Sequence, residues 1–233
     1  MIFKKFILLL FAISFIISCN EKKEDQKKET SNALPKVEKK VAKKTVIKKD
    51  PDSINSTNVV EFLTAYGKQH TENIVQIKTS YGNIKIKLYD DVPLHKANFL
   101  FLTDVGYYNQ TCFHRVVPDF IVQGGNSERP QALALRNKYE NYTIPPEFNP
   151  ARKHKYGAIA QAREWENNPQ KRSNPFEFYF IQSKEGAHHL DGEHTVFGEI
   201  ISGFDVLDKL AHLKTGRDQW PLEDVYMEVE IVK

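Results

Sequence analysis

Four groupings in this chain of 233 residues are of types that do chemistry. Arg115 lies in the run Phe113-His114-Arg115-Val116-Val117-Pro118-Asp119-Phe120-Ile121-Val122-Gln123-Gly124-Gly125. There a guanidinium, permanently charged and offering several planar N–H donors, stands among aromatic and branched apolar residues, a setting in which it can stabilise a developing charge or lone pair. Taken alone, an arginine beside aromatic residues is ordinarily a surface side chain packed by its stem. His188, His189, Asp191, Glu193 and His194 crowd one short stretch and are metal-ligating types, but their spacing fits no zinc pattern. Cys112 has no neighbouring His/Asn constellation and reads as a structural thiol. Asp90-Asp91 could pair as acid and base, yet just before Pro93 they read as a turn and a helix cap.

Periodicity predicts the elements that must position these residues. Val59 to Tyr66 has apolar residues at helical spacing and ends near Gly67. Ile74 to Thr79 and Ile84 to Leu88 flank Tyr81-Gly82-Asn83, and Ile84, Ile86 and Leu88 alternate with Lys85 and Lys87. A hairpin turning at the Gly-Asn pair is expected. Pro93 suits the first position of a helix carrying Ala97, Leu100 and Phe101. Strand-like runs follow at 113–122, 156–162, 176–182 and 195–200, then a helix over 204–213, then an alternation of Val225, Met227, Val229 and Ile231. Ile121 and Gln123 share one strand face, as do Glu177 and Tyr179, while Phe176, Phe178 and Phe180 share the opposite one; one face would build a core and the other a groove. Many short strands with two or three helices predict an all-β antiparallel sandwich or barrel, and periodicity alone leaves that choice open.

The run from Phe113 to Gly125 resembles the signature of the cyclophilin-type peptidyl-prolyl isomerases. Phe178-Tyr179-Phe180-Ile181 and the segment Leu190-Asp191-Gly192-Glu193-His194-Thr195-Val196-Phe197-Gly198 agree with that family in order and spacing, and the likeness runs from about Glu72 to the C-terminus. The resemblance implies a closed eight-stranded antiparallel barrel capped by helices, with the active groove on its outer wall. It also implies that Arg115 is catalytic and oriented by Gln123. Phe120, Ile121, Tyr179 and Leu190 would line a proline pocket with His194 at its edge, and Ala162 and Arg163 would touch the substrate backbone. Glu177 stands where glutamine is usual, adding a carboxylate that either pairs with Arg115 or competes with the substrate carbonyl. Tyr179 replaces a common phenylalanine, so its hydroxyl needs a partner. His189 falls where some eukaryotic members have tryptophan, which bears on cyclosporin binding. Gln161-Ala162-Arg163 departs from the eukaryotic M-A-N pattern, and Glu164 to Asn174 is expected to form a variable groove-side loop.

The chemistry can be derived from the amide itself. An X-Pro bond rotates over a barrier of about 18–20 kcal/mol and takes tens to hundreds of seconds unaided. No bond breaks, so neither cofactor nor metal is called for. A catalyst must bind the twisted amide better than either planar isomer. In that twisted state the proline nitrogen regains a lone pair, so a fixed donor beside a proline-sized apolar pocket is what the reaction needs. Each tenfold acceleration requires about 1.36 kcal/mol of such differential stabilisation.

Location follows from the other end of the chain. Lys4 and Lys5 precede an apolar stretch from Phe6 to Ile17, too short for a spanning helix and of signal-peptide length. It ends in Ile16-Ile17-Ser18-Cys19, which looks like a bacterial lipobox, with 1–18 removed and Cys19 lipidated. Residues 19–56 read as the lipidated cysteine and a solvated tether: the lysine-rich stretch from 20 to 51 holds 11 lysines against 6 acids and has no aromatic residue to help build a core. Residues 57–233 form the folded domain. Of the chain's 33 basic and 30 acidic residues, 20 and 24 lie beyond residue 51, so the folded part is mildly acidic and a nucleic-acid footprint is unsupported. The expected protein is a monomer of the cell envelope, lipid-anchored through Cys19, acting on proline-containing polypeptides. Two rival readings use the same residues: a groove that captures such polypeptides without turnover because Glu177 spoils its electrostatics, and a surface lipoprotein whose barrel only presents loops such as 164–174.

Overall fold

A computed structural model describes residues 54–139 and 142–233; the expected signal peptide over 1–18, the expected lipidation at Cys19 and most of the expected tether over 19–56 lie outside the described residues. The helices are α1 (Val59–Gln69), α2 (Pro93–Asp104), α3 (Pro130–Tyr139) and α4 (Phe204–Ala211). The strands are β1 (Ile74–Thr79), β2 (Gly82–Leu88), β3 (Cys112–Val117), β4 (Ile121–Asn126), β5 (Ala158–Gln161), β6 (Phe178–Ile181), β7 (Val196–Ser202), β8 (Val225–Tyr226) and β9 (Glu228–Ile231). All join one sheet in the order β8-β3-β4-β6-β5-β7-β2-β1-β9, and every named pairing is antiparallel.

Among the described residues nine strands replace the expected eight because the closing alternation breaks at Met227, whose N–H turns to the Thr111 carbonyl at 3.2 Å. On one side of the break β8 pairs with β3, and on the other β9 pairs with β1. The two edges of the sheet are thus one residue apart in the chain. The sheet must curl nearly shut, which leaves a nearly closed nine-stranded barrel in place of the closed eight-stranded one.

Among the described residues four α-helices stand where two or three were expected. The additional one, α3, buries only Ala132 and Tyr139 and leaves Leu133 exposed, so it has no apolar stripe for periodicity to reveal. Helix α1 continues through Gly67 to Gln69; a Cβ at Gly67 would sit 3.3 Å from the Ala97 Cβ on α2, so the glycine permits close helix packing and does not end the helix. Helix α2 is capped by Glu147, not by Asp90-Asp91: its carboxylate accepts from the N–H groups of Leu94 and His95 at 3.0 and 2.9 Å, while Asp90 and Asp91 pair with Lys96 and Arg152. In the first hairpin Thr79 faces Gly82, so Ser80-Tyr81 make the turn and the Gly-Asn pair begins β2. The run 113–122 is likewise two strands, divided where Asp119 takes a left-handed φ of 59° after Pro118. The barrel interior is aromatic: Phe113, Phe178, Phe180 and Phe197 are fully buried, joined by Phe99 of α2 and by Tyr108. Among the described residues no helix is long and apolar enough to cross a membrane.

Candidate active site

The register of four neighbouring strands builds the site. Arg115 on β3 lies opposite Gln123 on β4, Gln123 opposite Tyr179 on β6, and Tyr179 opposite Ala160 on β5. Strand alternation sends Val122, Phe178 and Phe180 into the core and Ile121, Gln123 and Tyr179 to the outer wall. On that wall a groove of about 290 Å³ is lined by Arg115, Phe120, Ile121, Gln123, Ala162, Arg163, Tyr179, Leu190 and His194, with Trp165 at its rim. Gly124-Gly125 lets β4 pass close to its neighbour: Gly125 has φ 95°, and a Cβ there would lie 2.2 Å from the Phe176 carbonyl oxygen.

Arg115 is held from two sides. Its Nε donates to Gln219 Oε1 at 2.8 Å and its Nη1 to Gln123 Oε1 at 3.5 Å. Nη2 has no partner among the described residues, so one edge of the guanidinium remains available to a ligand in the groove. Gln219 escaped sequence reasoning because it lies 104 positions away in an irregular segment, and only the tertiary fold brings it to Arg115.

Among the described residues assigned to the site from the sequence, Glu177 alone lies off the groove. It neither pairs with Arg115 nor faces the pocket: its Oε2 accepts from Gln123 Nε2 at 3.1 Å and its Oε1 from Arg136 Nη2 on α3 at 2.7 Å. The expectation that its carboxylate would act directly on Arg115 or on the substrate is corrected by the position of Arg136. Burial would raise its pKa, but His114 and Arg136 outweigh burial and hold the carboxyl below its ordinary value.

The pocket floor rests on a second relay. The His154 ring is fully buried, with Nδ1 2.8 Å from Asp191 Oδ1 and Nε2 3.2 Å from the Tyr179 hydroxyl. With Nδ1–H donating to the carboxylate, Nε2 accepts from Tyr179, which supplies the partner that hydroxyl required. At the pocket edge, His194 Nδ1 lies 3.1 Å from the Gln161 carbonyl; burial, with Arg163 and His154 nearby, lowers its pKa to about 4, so the ring is neutral at pH 7. Arg163 lines the groove with its charge already engaged. Its Nε and Nη2 donate to the Glu193 carbonyl and carboxylate, both at 2.8 Å, and its Cζ stacks 4.1 Å from the centre of the Trp165 ring. Trp165 is 61% exposed and approaches His194 edge-on at 5.1 Å. A lone tryptophan in the polar 164–174 loop was the one sequence signal that could have marked it. His189 stacks on Phe120 at 5.7 Å and extends the apolar wall.

The competing chemistries dissolve in three dimensions. In the histidine-rich stretch Asp191 is shared by His154 and His188, Glu193 is engaged by Arg163 and Lys171, and His194 lies on a carbonyl. Among the described residues no group of His, Cys, Asp and Glu could hold a metal ion. Burial pushes the Cys112 thiol up to about 12, which leaves it inert. Ser173, His95 and Glu147 have the connectivity of a hydrolase triad, with contacts of 2.9 and 2.6 Å, but Ser173 is 1% and His95 0% exposed, so no substrate can reach the hydroxyl.

Residues 74–231 match the model of the family described as cyclophilin type peptidyl-prolyl cis-trans isomerase. A peptidyl-prolyl cis-trans isomerase of Acinetobacter baylyi is 35% identical over 150 residues, covering 61% of this chain and 73% of the relative. A putative peptidyl-prolyl cis-trans isomerase of Staphylococcus saprophyticus is 32% identical over 206 residues, covering 73% of this chain and all of the relative. Other relatives are much longer: the match spans 39% of a putative bifunctional phosphatase/peptidyl-prolyl cis-trans isomerase of Streptococcus pyogenes and 29% of a peptidyl-prolyl cis-trans isomerase-like protein of Rhizopus delemar. The crystal structure of a Cryptosporidium parvum cyclophilin type peptidyl-prolyl cis-trans isomerase is similar with a TM-score of 0.60 at 27% identity, over 70% of this chain and 98% of that one. The same parasite protein has also been crystallised in the presence of the dipeptide Ala-Pro.

Proposed function

The chain belongs to the cyclophilin-type peptidyl-prolyl cis-trans isomerase family, and from that membership we propose that its groove catalyses rotation about X-Pro amides in exported polypeptides. Phe120, Ile121, Tyr179 and Leu190 form the slot for the proline ring, His194 closes its edge as a neutral ring, and the 162–163 backbone aligns the substrate chain. Arg115 donates to the proline nitrogen as its lone pair returns in the twisted state. The observation that carries this reading is the clamped guanidinium, fixed at Nε and Nη1 beside an apolar pocket, with Nη2 unengaged. Glu177 is turned onto Gln123 and Arg136, which weakens the case for a binding-only groove.

The location part of the proposal is supported by sequence alone. Cys19 follows a short apolar leader and a small residue, as a lipid-modified N-terminus requires, and about 35 tether residues would give the domain a reach of roughly 30–40 Å from the lipid. The catalytic proposal is tested by exchange NMR on an X-Pro peptide. The purified protein should accelerate cis/trans exchange, and Arg115→Lys should lose about 10²–10³-fold. Unaltered acceleration in Arg115→Ala would reject it. For the anchor, Cys19→Ser should move the protein to the soluble fraction; unchanged membrane association would reject lipidation at Cys19.

A further inference from the structure

We infer that Arg136, on α3 and outside the signature run, is a positioning residue for Arg115, acting through Glu177 and the side-chain amide of Gln123. The inference rests on the reading of the groove as an isomerase site. A glutamine amide has two ends of nearly the same shape, one a donor and one an acceptor, and neighbours decide which way it faces. An ionised carboxylate can only accept. Gln123 must therefore turn Nε2 toward Glu177 Oε2, at 3.1 Å, and present Oε1 to Arg115 Nη1, at 3.5 Å. The reverse orientation would set an NH₂ group against the guanidinium and a carbonyl against the carboxylate.

Glu177 imposes this polarity only while it is charged. Its side chain is 16% exposed, where burial favours the neutral acid, and a protonated carboxyl could donate as well as accept. The groups that face it are Arg136, with Nη2 2.7 Å from Oε1, and His114, with Nε2 3.6 Å from Oε2. Arg136 is itself fixed: Nη1 donates to Asn126 Oδ1 at 2.8 Å, and its Cζ lies 5.2 Å from the centre of the Phe176 ring. The chain Arg136–Glu177–Gln123–Arg115 thus alternates donor and acceptor at every step, and a neutral amide at 177 would allow either orientation of Gln123.

The test compares the parent full chain with Arg136→Gln, Glu177→Gln, the double variant and Arg136→Lys, by X-Pro exchange kinetics and by side-chain NMR. Arg136→Gln should lower kcat roughly three- to tenfold with little change in KM, and Glu177→Gln should do the same. The double variant should be no slower than Glu177→Gln, because Arg136 acts only through the carboxylate. In Arg136→Gln the Gln123 Nε2 and Arg115 Nε signals should shift while that of the Trp165 indole stays in place. Arg136→Lys, which keeps the charge, should recover most of the rate and guards against a folding defect in α3. Losses that add in the double variant, or Gln123 and Arg115 signals that do not move, overturn the inference. A parent without acceleration defeats only the isomerase reading, because the side-chain signals still decide whether Arg136 orders Arg115.

Discussion

The Tyr179 hydroxyl donates to His154 Nε2 across 3.2 Å, joining the groove floor to a fully buried imidazole whose other nitrogen is held by Asp191. Replacing Tyr179 by phenylalanine keeps the ring that shapes the pocket and strips the buried nitrogen of its donor. An unsatisfied buried acceptor costs about 1–3 kcal/mol. Tyr179→Phe should therefore lower the unfolding free energy in urea by about that amount while exchange catalysis stays within a fewfold of the parent. An unchanged urea midpoint would mean that the relay contributes nothing.

Acid should unfold this protein in two stages of the same sign. Burial lowers His194 from 6.5 to about 4, so between those values the unfolded chain binds a proton that the folded chain refuses, and stability falls as pH drops through that window. His154, also lowered chiefly by burial, acts in the same direction. Burial would raise Asp191, but hydrogen bonds from His154 and His188 outweigh it and hold the carboxyl at about 2, so its contribution is present above 3.8 and is lost as pH falls toward 2. At about 1.36 kcal/mol per unit, the His194 share is on the order of 3–4 kcal/mol at most. Urea midpoints should decline from pH 7 to pH 3, and His194→Gln should flatten the upper part of that decline. A midpoint constant from pH 7 to pH 4 contradicts this account.

Gln219 holds Arg115 Nε from a residue whose φ is 67°. Asparagine tolerates that left-handed backbone but is one methylene too short to keep the contact. Gln219→Asn should thus free one side of the guanidinium without straining the loop, lowering kcat roughly three- to tenfold and leaving KM nearly constant. A change in KM alone would place Gln219 in ground-state binding instead.

Trp165 offers an exposed indole face at the groove rim, beside His194 and over the Arg163 guanidinium. With Trp220→Phe as background, an X-Pro peptide entering the groove should change Trp165 emission. Trp165→Ala should weaken peptide binding by about 1 kcal/mol, roughly fivefold in Kd, with most of kcat preserved. Emission that ignores saturating peptide would remove Trp165 from the site.

Which side chains share a strand face was legible in the amino-acid order. Alternation is a local property with a period of two, so Ile121, Gln123 and Tyr179 could be separated from Phe178 and Phe180 before any fold was known. The run 113–122, by contrast, reads as one strand in the sequence, and only the turn at Pro118-Asp119 folds it into two strands that set Arg115 opposite Gln123. What each polar group faces depends on the packed fold. Glu177 turned away from Arg115 because α3, whose sequence carries no apolar stripe, sets Arg136 against it. Gln219, His154 and Glu147 meet their partners across 104, 25 and 52 positions, and the barrel nearly closes because one bend at Met227 divides the last strand between two edges. Such pairings depend on how packed elements share space, which no periodicity within one segment encodes.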